Sequence, residues 1–479
     1  MKRFLLSMLT VAVALSVAIS AAACSVSPLK GARSSYTITA TLDGNKISGH
    51  MEYTLVNNGD TAITEQCFML YGNAYKKDAA HPAVVNDKAY YAGKSYGEET
   101  VENITVGGAA ATAQISGDDG EVLTVAVSEL FPGEKVAIAM DFCVTLASVN
   151  HRLGITPHAI NLGGWYPIAV PRVDGTSLTY PYYSIGDPFC TDAADYTVEL
   201  TVPESYTVAA TGDGTREGNV CRFTSKNTRD FAIVAGSEFK VSTATVGKTE
   251  VRYYYYDDLK ADASLKTATD ALTYFNKEIG DYPYPTLSVV ETGFIHGGME
   301  YPALVMISDA CGDGYNETIV HETAHQWWYS AVGNDEVAHA WQDEGLTDYM
   351  TTLFFDAHSE YGQTRTDRIM RTMAAYLTYV DVYSDLTGSV DTSMDRPLDK
   401  FKSEQEYVTM TYRKGELMFD TLRSEIGEEK FSRALKAYYK NFLHGRATPD
   451  DMIATFSKAA GRDLNSFFRS WLDGKVVIA

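Results

Sequence analysis

The spacing of apolar residues changes partway along this 479-residue chain, and that change limits the possible folds more than any other feature. From Ser35 to about Thr245 the spacing is two. Tyr36, Ile38, Ala40 and Leu42 alternate with Thr37, Thr39 and Thr41, and Asp43-Gly44-Asn45 then turns the chain. Met51, Tyr53 and Leu55 repeat the alternation before Asn57-Asn58-Gly59-Asp60, and similar runs recur at 122–127, 196–202 and 231–235. This half is expected to form a β-sandwich or an open β-saddle. Residues 253–256, four tyrosines in a row, fit a further strand better than a binding stripe, because neighbours on a strand face opposite ways.

Beyond residue 258 the period becomes helical. Residues 259–279 read as a helix, 287–291 and 304–307 as short strands, and most of 317–472 as successive helices. No internal repeat or long linker separates the two halves, so they are expected to pack together. The expected class is multi-domain: a β-rich N-terminal domain over 36–245, then a mainly α domain with a small sheet over 246–479. Composition agrees with a folded chain, since 45% hydrophobic residues are ample for buried cores. The 40 Lys+Arg against 62 Asp+Glu leave a net charge of −22, which argues against nucleic-acid binding.

The first residues read as an address. Lys2 and Arg3 precede an apolar run that ends in small residues at Ala23, the pattern of a secretory signal over 1–23. Ser20-Ala21-Ala22-Ala23-Cys24 resembles a bacterial lipobox, which makes Cys24 the expected lipidated residue, followed by a linker over 24–35. The protein is therefore expected to be exported and held at a membrane by an N-terminal lipid. Cleavage with full secretion is one alternative, and retention of the run as a span is another. Cys67, Cys143, Cys190, Cys221 and Cys311 contain no close-spaced pair, so no zinc or redox motif is legible among them.

Chemistry is concentrated in His321-Glu322-Thr323-Ala324-His325. Histidines four apart sit one helical turn apart, so both rings can face one ion, and Glu322 stands beside them to take a proton from water. A catalytic zinc needs three protein ligands and one open position. Glu344, nineteen residues after His325 in Trp341-Gln342-Asp343-Glu344-Gly345, lies near the start of the next expected helix. A return of that helix past the first would bring Glu344 to the histidines as third ligand. One zinc ion per chain is the expected cofactor.

This pattern, HExxH followed after eighteen residues by Glu in a WxxEG segment, resembles the M1 family of gluzincin metallopeptidases, the relatives of aminopeptidase N and leukotriene A4 hydrolase. Gly297-Gly298-Met299-Glu300-Tyr301 looks like the family's GxMEN segment, and Tyr412-Arg413-Lys414-Gly415 like its YxKG segment. Asp187-Pro188-Phe189-Cys190-Thr191-Asp192 is faintly similar to the family's proline-cysteine-aspartate segment. The resemblance implies a thermolysin-like catalytic domain and peptide substrates. It assigns His321, His325 and Glu344 to zinc, Glu322 to activation of water, and Tyr412 to stabilisation of the oxyanion, with Tyr407 the poorer candidate. Gly297, Gly298 and Met299 would bind the peptide backbone, and Glu300 the free α-amine. Asp348, one turn beyond Glu344, would orient a zinc-bound histidine; an exposed helix carboxylate is the plain alternative.

Three departures stand out. Tyr301 replaces the usual Asn. The N-terminal-domain Gln or Glu that helps hold the amine is not legible, and 161–167 (NLGGWYP) is the region where it is expected. A two-domain form with a more open cleft is also expected. The leading function is a zinc aminopeptidase. Endopeptidase or other hydrolase activity is the alternative, and a non-catalytic surface binding protein on the same fold is a third reading.

Overall fold

The structure, a computed structural model, describes residues 32–476 and 478; the expected leader and Cys24 lie outside the described residues. Ser35–Asp43 buries every second residue, and its hairpin partner Lys46–Val56 pairs with it in the register Asp43↔Lys46 to Ser35↔Thr54. The other edge of Ser35–Asp43 runs parallel to Ala194–Thr201, so the first strand sits inside an eight-stranded sheet. Two four-stranded sheets and the two-stranded pairing of Arg172–Val173 with Thr176–Ser177 complete the β-rich half. The inner faces of the larger sheets meet in one core containing Trp165 and Phe231, with the Trp165 indole donating to the Phe231 carbonyl at 2.9 Å.

The second half begins with a five-stranded sheet in which Lys240–Val246 pairs with Thr249–Tyr255. The expected boundary at 245 cuts through that first strand; the join lies ahead of it, after the strand Ile233–Gly236. Thr249–Tyr255, Thr286–Thr292 and Leu304–Ser308 are mutually parallel and form the centre of the sheet. Thr286–Thr292 and Leu304–Ser308 are buried along their whole lengths, as expected of strands covered on both faces. The tyrosine run behaves as strand geometry requires: Tyr253 packs into the helical core and Tyr254 into the β-rich core.

Helix α1 (Ala261–Glu278) packs on this sheet, and α2 (Tyr315–Ala324) follows the sheet's last central strand. After a short turn α3 (Glu336–His339) leads into α4 (Trp341–Ala357), then α5 (Arg365–Thr387). A single π-helical turn over Thr409–Arg413 separates α6 (Glu404–Val408) from α7 (Lys414–Ile426). No helix among the described residues is long and apolar enough to cross a membrane.

The halves do pack together. Met299, Tyr301, Leu304 and Met306 of the second half belong to the β-rich core. Arg229, almost wholly buried, donates to the carbonyls of Thr191, Tyr329 and Gly445, and so joins the β-rich half to the loop after α2 and to the segment after the helix Glu428–Phe442. A buried guanidinium with carbonyl partners on three segments fixes their relative positions, since each bond to a charged donor contributes about 1.5–3 kcal/mol.

Candidate active site

His321 and Glu322 occupy the last turn of α2, and His325 caps it, its amide still bonded to the His321 carbonyl at 3.1 Å. Beyond it the chain tightens into a turn that carries buried Trp327 and Trp328: the Ala324 carbonyl accepts from the Trp327 and Trp328 amides at 3.0 and 3.3 Å, and the His325 carbonyl from the Ser330 amide at 3.0 Å. Glu344 enters from the first turn of α4, which packs against α2. His321 Nε2 and His325 Nε2 lie 3.0 Å apart, and Glu344 Oε2 is 3.3 Å from the first and 3.1 Å from the second. Tetrahedral ligands about 2.0–2.1 Å from an ion are about 3.3 Å from one another. The donor set therefore fits zinc in both chemistry and spacing.

The outer ring nitrogens are held as metal-binding imidazoles require. His325 Nδ1 faces the Trp328 carbonyl at 2.9 Å and the Thr347 hydroxyl at 3.3 Å; His321 Nδ1 faces Asp348 Oδ1 at 3.0 Å. The two histidines and their hydrogen bonds hold the buried Glu344 carboxyl well below the usual range, against the opposing effect of burial.

Glu322 and Glu300 face the same space. Glu322 is buried with one oxygen unpartnered, and burial pushes its carboxyl up to about 7, with His321 and His325 pulling the other way. Gly298 lies directly over it: a β-carbon there would come within 2.3 Å of Glu322 Oε1. Gly298–Met299 is the edge strand of the five-stranded sheet, bonded only to Leu304–Ser308, so its other edge is free to pair with an extended peptide. Gly297 precedes this strand, its carbonyl accepting from the Ser308 amide at 2.9 Å. Gln326, beside the zinc-motif residues, accepts from the Ala303 amide at 2.8 Å and donates to the Tyr301 carbonyl at 3.2 Å, which fixes the turn after Glu300. Glu300 has an unpartnered oxygen too; burial, then the nearby Asp187 carboxylate, push it well above its ordinary range.

The π-turn aims Tyr412. Its hydroxyl donates to Glu344 Oε1, and its ring stacks over His321 at 5.8 Å. Lys414, the next-but-one residue, is buried and donates to the carbonyls of Thr392 and Trp471, so the turn is anchored from below; burial lowers its ammonium to about 8. Gly345 and Gly415 let α4 and α7 touch along their backbones, since a β-carbon on Gly415 would come within 2.6 Å of Gly345 Cα. Tyr407 also lines the cleft, but its hydroxyl is buried without a partner and packs against the Tyr412 ring.

One expectation needs correction. Segment 161–167 does not reach the cleft: Asn161 is spent on the carbonyls of His151 and Gly293 and on the Thr292 hydroxyl, and Trp165 and Tyr166 are core residues. Tyr301, in place of Asn, turns its ring into the β-rich core against Gly163. The N-terminal carboxylate in the cleft is instead Asp187, with an oxygen within 4.8 Å of carboxylate oxygens of both Glu300 and Glu344. Arg152 pairs with it and also donates to the Gly186 carbonyl at 3.2 Å. The Asp187-Pro188-Phe189-Cys190 segment is legible only for its faint similarity to the proline-cysteine-aspartate segment, and nothing in the sequence marks Asp187 as a cleft residue. The whole cleft has a volume of about 370 Å³.

Comparison with known proteins agrees with this geometry. Residues 263–471 match the peptidase family M1 domain. Among curated relatives, aminopeptidase M1-A of Oryza sativa subsp. japonica is 24% identical over 50% of this chain and 28% of its own length. Aminopeptidase N of Streptomyces lividans is 25% identical over 45% of this chain and 26% of its own. The chain thus spans about a quarter of the length of these relatives. The crystal structure of an M1 zinc metallopeptidase from Deinococcus radiodurans superposes with a TM-score of 0.65 at 17% identity, covering 94% of each chain. A mutant form of that protein bound to a Tyr-Ser-Ala substrate superposes at 0.61, with 17% identity, over 95% of this chain and 97% of that one. The matched domain, the zinc-type donor set and the shared two-domain fold together make the chain similar to the zinc metallopeptidases of peptidase family M1.

Proposed function

We propose that the protein is a zinc-dependent aminopeptidase that removes N-terminal residues from peptides. The observation that carries this reading is the pair of carboxylates, Glu300 and Asp187, set beside the His321, His325 and Glu344 donors. A peptide whose ammonium group meets these two acids can place only its first carbonyl over the metal position. The substrate-bound relative from Deinococcus supports peptides as the substrate class. Zinc held by His321, His325 and Glu344 would supply Lewis-acid activation of the scissile carbonyl and of water.

The chain's own residues supply the rest. The free edge of Gly298–Met299 pairs with the peptide backbone and orients the carbonyl. Glu322, with a pKa near neutrality, takes the proton from the attacking water and returns it to the leaving amine. Tyr412 donates its phenolic hydrogen to the developing oxyanion, a bond that gains strength as charge builds. Asp348 acts through His321 by holding its ring in one orientation. Export and attachment through a lipid on Cys24 complete the proposal; these rest on the leader pattern of the sequence.

Glu322→Gln is expected to lower kcat by about 10²–10⁴-fold while the protein keeps one zinc per chain by elemental analysis; full activity would remove Glu322 as the base. Tyr412→Phe should lower kcat by about 10²-fold with a small change in KM, and an unchanged rate would shift the role to Tyr407. Free peptides should be cleaved and their N-acetylated counterparts resist. Equal cleavage of both would replace the aminopeptidase reading with an endopeptidase one, which the pairing of Asp187 with Arg152 favours by reducing the charge available to the amine. Mass analysis of the mature N-terminus should find a lipid-modified Cys24, whereas an unmodified Cys24 or Ser25 start would reject the anchor.

A further inference from the structure

Beside the main cleft lies a second chamber of about 230 Å³. Ser184, His296 and Glu404 line both spaces, so the chambers meet at these three residues. The walls of the second are half apolar, with Val84, Ile185 and Ile295 among the apolar residues and Glu404 the one carboxylate. A substrate whose amine sits at Glu300 and Asp187 must direct its first side chain away from the metal, and the chamber's wall at Ser184 and Ile185 continues into the cleft wall at Gly186 and Asp187.

Charge at the junction is one-sided. Seven carboxylates line the main cleft against a single guanidinium, Arg152, which is buried and engaged by Asp187, the Gly186 carbonyl and the Tyr182 hydroxyl. Most of the acids are already committed. Glu344 belongs to the metal set, Asp348 faces His321, and Glu317 is paired with Arg368 at 2.9 Å. Glu404 differs: its side chain is 64% exposed, and its partner is the His296 ring nitrogen at 3.3 Å. No Lys or Arg pairs with it among the described residues. The His296 hydrogen bond holds its carboxyl below the ordinary range, so it is ionised at neutral pH.

We infer that the second chamber receives a long cationic side chain, Arg or Lys, from the substrate's N-terminal residue, with Glu404 as the specificity-determining carboxylate. The aliphatic stem of such a side chain packs on the apolar walls while its charged head reaches the rim. This inference rests on the aminopeptidase reading for the direction in which the substrate lies.

Binding tests it without depending on turnover. L-Arginine amide and L-citrulline amide have nearly the same shape but differ in charge, the citrulline urea carrying a carbonyl oxygen where the guanidinium carries an N–H donor group, and titration calorimetry on the zinc-loaded full chain can compare them. Arginine amide is expected to bind about fivefold more tightly, the scale of a partly exposed ion pair. Glu404→Gln should bring the ratio close to one, whereas Glu129→Gln, on a remote exposed strand position, should preserve it. Equal affinities in the parent protein, a preference that survives Glu404→Gln, or failure of either amide to bind at millimolar concentration would overturn the inference. Selective arginine-amide binding by a protein that cleaves no aminoacyl-arylamide would uphold the subsite and reject the aminopeptidase reading. Cleavage of leucyl and citrullyl arylamides without a charge preference in binding would do the reverse.

Discussion

Two imidazole nitrogens and a carboxylate oxygen, 3.0–3.3 Å from one another in a buried site, form the constraint on which the rest of the structure depends. Apolar packing alone would not bring these polar groups together, because each loses hydration on burial. A divalent cation reverses that balance. The elements around the centre serve to hold this spacing: α2 presents the histidines one turn apart, α4 returns Glu344, and the carbonyl, hydroxyl and carboxylate partners of the outer ring nitrogens fix the ring planes.

The β-rich half is part of the site as well as its support. It supplies Asp187 and Arg152 to the cleft, and its core extends into the catalytic sheet through Met299 and Tyr301. The edge strand that would bind substrate is therefore backed by both halves. The carboxylates near Glu300 illustrate a common feature of active sites, in which groups that repel one another are kept close until a cationic ligand arrives.

Features set by local spacing were legible in the sequence. The alternation of Tyr36, Ile38, Ala40 and Leu42 corresponds to a strand with that burial pattern, and the HExxH spacing and the later Glu correspond to one metal-type cluster. What depended on tertiary approach was not. Asp187 reaches Glu300 only because the β-rich half folds against the edge strand, and no periodicity records that contact. The 161–167 segment is where the amine-binding residue is expected, yet Trp165 and Tyr166 fill the core. Tyr412 was legible by its neighbours, but the π-turn that aims it was not, since an extra residue in one helical turn leaves no compositional mark.

The contact between Gly345 and Gly415 also governs motion. Helices separated by side chains can slide as rotamers change, whereas two backbones in direct contact have no such compliance. Glu344 precedes one of these glycines and Tyr412 lies three residues before the other, so these two bonded side chains stand on helices with no side-chain layer between them. A shift of either helix therefore reaches both side chains at once.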